Sequence, residues 1–190
     1  NNRMHNEVEE NKIKLEKIEK MLKYLADYCG NKMLKFACKI YDDELAFWLT
    51  RYEINHCSGL KFKIDKENKR AAVSGQHIHD ENVTIPSSIT YLNEEYSVIT
   101  VMAWAFFQNN NLKTVCFEEN SKLETIGKFA FRESSVERVY IPQSVMQIGR
   151  GIFDDCNKIK SIIFDKNSKL EAIEDNNLGM HSLDKMVITP

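Results

Sequence analysis

The stretch SSVERVYIPQSVMQIGRGIF, Ser134 to Phe153, decides the fold. Its apolar residues come in three groups: Val136, Val139 and Ile141; then Val145 and Ile148; then the bulky pair Ile152-Phe153. The same landmarks recur on both sides. The first group returns as Leu112-Val115-Phe117, Ile159-Ile162-Phe164 and Leu183-Met186-Ile188. The second returns as Val98-Val101, Leu123-Ile126 and Leu170-Ile173, and the third as Ala105-Phe106, Ala130-Phe131 and Asn177-Leu178. The last members of the first group, Phe117, Ile141, Phe164 and Ile188, fall 24, 23 and 24 residues apart. A unit of this length cannot bury its own apolar side, whereas stacked units share a continuous core.

A period of about 20–29 residues with one short strand per turn is the pattern of leucine-rich repeats. The unit from Ser134 to Gly149 resembles the LxxVxIPxSVxxIGxxAFxxC unit of the BspA-like leucine-rich repeat family. Residues 117–123 and 164–170, with Asn120-Ser121-Lys122-Leu123 and Asn167-Ser168-Lys169-Leu170, are similar to a longer variant, FxxNSKLxxIGxxAF, known in this family from protists. The resemblance covers about residues 82–190 and weakens at Glu174-Asp175-Asn176-Asn177, which replaces Gly-x-x-Ala. It implies protein binding or adhesion without catalysis. Cys156 occupies the family's AFxxC position, the place of a small buried hydrophobe.

Upstream, residues 6–29 read as a helix. Asn6 and Glu9 are spaced as a capping box, acidic residues lead, Lys20 and Lys23 follow, and Gly30 is placed to end it. Its apolar seam is Val8, Asn11, Leu15, Ile18, Leu22 and Leu25, at the 4-3 spacing of a coiled coil. That seam can self-associate or dock on a partner, or it can pack within its own chain, since Met21, Tyr24 and Tyr28 widen the stripe. A second helix is expected at 32–41 and a third over Leu45, Phe47, Trp48, Leu49 and Tyr52. Asn55 to Gly59 breaks the pattern and divides a helical module, 1–58, from a repeat domain, 59–190. Leu60-x-Phe62-x-Ile64, a turn at Asp65–Asn68 and Ala71-Ala72-Val73 form a hairpin that caps the stack. The expected class is α+β: N-terminal helices, a β-hairpin cap and a solenoid with a single parallel repeat sheet. Val115, Phe117, Val139, Ile141, Ile162 and Phe164 should face its core with Phe106, Phe131 and Phe153.

A formal net charge of −2 over 190 residues calls for neither nucleic acid nor an anionic membrane. No run of 18 apolar residues spans a bilayer. Five cysteines without a C-x-x-C spacing argue against zinc and against a disulfide framework. Reduced thiols favour a cytoplasmic setting, with a cell-surface setting as the alternative. The chain opens on Asn1, which leaves room for a removed signal, and stops at Thr189-Pro190 in a repeat strand, so further sequence or a partner is expected beyond it.

Candidate chemistry is sparse. His77-Ile78-His79 places two imidazoles on one strand face, but no third ligand stands at a telling spacing. His56-Cys57 are adjacent and would point apart on a strand. No phosphate-binding glycine cluster, nucleophile elbow or zinc-protease motif occurs. No cofactor and no catalytic residue is expected.

The middle residue of each repeat strand points away from the core. Thr84, Cys116, Tyr140, Ile163 and Val187 therefore stack into one lane on the expected concave face, where a protein partner would bind; it is apolar from Cys116 onward and lies beside a polar lane of Thr114, Arg138, Ser161 and Lys185. A contiguous exposed apolar lane marks an interface, and the polar lane suits its rim; covering by another segment of the chain is the alternative. The expected function is a non-catalytic interaction scaffold, suited to a structural part of a larger, cytoskeletal assembly. The alternative is a surface adhesin for host or matrix protein.

Overall fold

A computed structural model describes residue 48, residues 51–174, residues 178–179 and the backbone of 186–188. The chain divides into two compact units, Asn1–Thr50 and Arg51–Pro190. The second unit opens with three antiparallel strands: β1 (Tyr52–Asn55), β2 (Leu60–Asp65) and β3 (Arg70–Gln76). The alternation of Leu60, Phe62 and Ile64 puts all three in the core. The turn between β2 and β3 is tied by Asp65, whose buried carboxylate accepts hydrogen bonds from Asn68 Nδ2 at 2.9 Å and from Arg70 at 2.9 Å. Those contacts hold the Asp65 carboxyl below its ordinary range despite the opposing effect of burial, the largest single influence.

The chain then winds between two sheets. β4 (Asn82–Ile85) starts one; β5 (Ser88–Tyr91) and β6 (Glu94–Val101) pair with each other in the other. Each later coil gives a four-residue strand to the first sheet, β7 (Thr114–Phe117), β9 (Arg138–Ile141) and β11 (Ser161–Phe164). It gives a two-residue strand to the second: β8 (Thr125–Ile126), β10 (Gln147–Ile148) and β12 (Ala172–Ile173). β13 (Met186–Ile188) ends the first sheet. The orders are β4-β7-β9-β11-β13 and β1-β2-β3-β6-β8-β10-β12, with β5 beside β6. Every pair from β6 or β4 onward along the coils is parallel.

Between the sheets lies a single core. Val115, Val139 and Ile162 are fully enclosed, and Ile141 and Phe164 are buried. Phe117 is partly buried against the same cluster. The phenylalanines of the AF positions stack down the solenoid: Phe106 on Phe131 at 5.3 Å and Phe131 on Phe153 at 5.6 Å, with nearly parallel rings. The glycines after β8 and β10 let coils touch. A Cβ at Gly127 would stand 2.3 Å from Ala103 N, and one at Gly149 would stand 2.4 Å from Lys128 N.

Three expectations are corrected. The class is not α+β: the described elements are all strands, and they form a β solenoid. The repeats build two sheets instead of one, because each coil turns twice and pairs at both corners. Tyr52, placed at the end of a third helix, begins β1, where Tyr52-Glu-Ile-Asn pairs with β2 and Ile54 packs on the core; aromatic and β-branched residues suit such a pleated, half-buried edge. The helices expected at 6–29 and 32–41 lie outside the described residues.

Candidate functional site

The outer face of the β4-β7-β9-β11-β13 sheet carries the predicted lane. Thr84 lies beside Cys116, and Tyr140 beside Ile163, which pairs in turn with Val187. β7 and β9 are in step at Thr114 with Arg138 and Val115 with Val139, so Cys116 and Tyr140 follow as neighbours. Tyr140 is 39% exposed, one of few large hydrophobics so open among the described residues; Cys116 and Ile163 are half-buried. The polar lane is in register too: Thr114, Arg138 and Ser161 stand side by side at the strand starts. Lys185 and the helix seam Val8, Asn11, Leu15, Ile18, Leu22 and Leu25 lie outside the described residues.

One position earlier, charges alternate from coil to coil: Glu81, Lys113, Glu137, Lys160. Lys113 Nζ stands 2.7 Å from Glu81 Oε2, and Lys160 Nζ 2.5 Å from Glu137 Oε2. The hydrogen bond from Lys160 holds the Glu137 carboxyl below its usual range, and that to Glu81 holds the Lys113 ammonium above its own. This edge of the face is neutralised from within. Burial raises the Cys116 thiol, which keeps it protonated and a poor nucleophile.

The opposite edge is different. From Phe117 to Leu123 the chain takes six steps, from Ile141 to Val145 four, and from Phe164 to Leu170 six. The short turn Pro142-Gln143 therefore sits between two longer ones and leaves a notch of about 770 Å³. Its walls are Glu118 to Ser121 on one side and Asp165-Lys166 on the other, and Tyr140 and Ile163 open into it. The walls are held from behind. Glu118 Oε2 accepts from Ser87 N at 2.9 Å and from Ser87 Oγ at 3.1 Å. Asp165 Oδ1 accepts from Asn167 N at 2.8 Å, and Asn120 turns with φ +63°. Reading strand positions alone missed these turn residues; the six-four-six spacing was the signal that could have found them.

His77 and His79 do not share a strand face, since β3 ends at Gln76 and both follow it; His79 is exposed, and His56 and His77 serve the cap. His77 Nε2–H donates to the His56 carbonyl at 2.8 Å. His56 Nδ1 accepts from Ser58 N at 3.2 Å, its ring meets Phe62 edge-on, and Cys57 Sγ lies 3.8 Å from its Nε2. Among the described residues no group of three His, Cys, Asp or Glu stands where it could hold a metal ion. No helix among them is long and apolar enough to cross a membrane.

The family model for the BspA type leucine rich repeat region matches residues 76–190 in six copies. A leucine-rich repeat protein from Bacteroides capillosus is similar in fold, with a TM-score of 0.62 and 20% identity over 73% of this chain and 99% of that one. A leucine-rich repeat protein from Bacteroides ovatus shows 30% identity and a TM-score of 0.54 over 63% of this chain; the match spans 31% of that protein. No match was found among curated proteins.

Proposed function

The chain belongs to the BspA-type leucine-rich repeat family, and from that premise we propose that it is a non-catalytic interaction module that binds a protein partner on the outer face of its four-residue strands. The observation that carries this reading is the run of Cys116, Tyr140 and Ile163 across neighbouring coils, with Tyr140 open to solvent above a notch. A run of apolar side chains left open on a strand face marks an interface, and aromatic side chains concentrate where interfaces form. The polar lane of Thr114, Arg138 and Ser161 supplies the rim.

Affinity capture with the intact chain and with Tyr140→Asp/Ile163→Asp, matched by circular dichroism melts, tests this. Partners held by the intact chain and lost from an equally folded variant support the surface. Identical capture by both sinks it. The two settings raised by the sequence, a cytoplasmic structural assembly and a cell-surface adhesin, use the same face. Labelling of the chain on intact against permeabilised cells assigns the setting.

A further inference from the structure

We propose that the notch between the turns after β7 and β11 seats a partner segment carrying a lysine or arginine beside an apolar side chain. This deepens the preceding reading and rests on it. Four charged residues line the notch: the carboxylates of Glu118, Glu119 and Asp165 and the ammonium of Lys166. Among the described residues none of the four is in an ion pair. The contrast with the far edge of the same sheet is direct, since Glu81–Lys113 and Glu137–Lys160 cancel one another there. Excess negative charge therefore stands on the walls of a cleft whose floor is apolar.

The floor and walls ask for two things at once. Tyr140 and Ile163 present an aromatic and an aliphatic surface, which an apolar side chain covers. A guanidinium or ammonium on the adjoining residue reaches the exposed Glu119 and Asp165, and can lie over the Tyr140 ring on its way. Since Ser87 and Asn167 already fix the neighbouring turns, little ordering is required on binding. An acidic partner would meet like charge on the Glu118-Glu119 wall, and Lys166 beside Asp165 offsets only one of the three carboxylates.

The test selects random short phage-displayed peptides on the full chain at low salt, with counter-selection on Tyr140→Asp/Ile163→Asp. Glu119→Gln/Asp165→Asn serves as the charge probe, since the second of these changes retains the side-chain oxygen that caps the turn. Enriched peptides should pair a basic with an apolar residue. They should bind the amide variant about tenfold more weakly, the worth of one charge-assisted contact, and weaken further as salt rises. Peptides that depend on Tyr140 and Ile163 but lack a basic residue, or that bind the amide variant equally, overturn this inference and leave the surface reading standing. Peptides indifferent to Tyr140→Asp/Ile163→Asp, or no enrichment at all, overturn it as well. Self-association of the intact chain in sedimentation, abolished by Tyr140→Asp/Ile163→Asp, would give the notch to a second copy and also overturn it.

Discussion

Phe131 lies between Phe106 and Phe153 with all three rings almost fully enclosed. Such a ring cannot be removed without leaving a cavity bounded by two coils. Phe131→Ala should cost about 3–5 kcal/mol, read as a lower urea midpoint. At His56 the governing effect is electrostatic. Burial, and after it the nearby His77, hold its imidazole below the ordinary 6.5. The unfolded chain then binds the proton more tightly than the folded one. The stability that follows is complete above an ordinary histidine pKa and is lost as pH falls toward the lower, folded one. Urea midpoints should drop between neutral and mildly acidic pH, and His56→Gln should reduce the drop. An unchanged slope in that variant would assign the acid sensitivity to other groups.

The coil is the element that repeats, and its corners show what a sequence pattern can and cannot reveal. The four-residue strands were legible because Val115, Val139 and Ile162 recur with a fixed partner two residues on. The repeat strands of the second sheet were not. β8, β10 and β12 are two residues long, too short for any alternation, and their pairing follows only once the coils are stacked. Gly127 and Gly149 mark those corners. Gly149→Ala forces a Cβ against the Lys128 backbone and should cost about 1–3 kcal/mol as overpacking, seen as a lower melting temperature. The notch escaped a reading by residue type because it arises from a length difference between turns. Inserting two residues between Pro142 and Gln143 should fill it. Stability should change by less than about 1 kcal/mol, since doubling a loop costs only about 0.6 kcal/mol, while partner binding is lost.

Across the described coils of the second unit, the two edges of one sheet face hold opposite electrostatic designs. A self-paired ladder runs along the strand starts, and an acidic, apolar-floored notch opens at the strand ends. The membership of residues 76–190 in the repeat family accounts for the coil. The residues that the core leaves unconstrained on that coil, Cys116, Tyr140, Ile163 and the turns beyond them, are where this chain can differ in what it binds. Hydrogen–deuterium exchange of the intact chain, with and without a captured partner, tests that claim most directly. Binding should slow exchange at residues 117–121, 140–143 and 163–166 and leave β8, β10 and β12 unchanged. Protection confined to the β8-β10-β12 side, or to the β1–β3 cap, would contradict it.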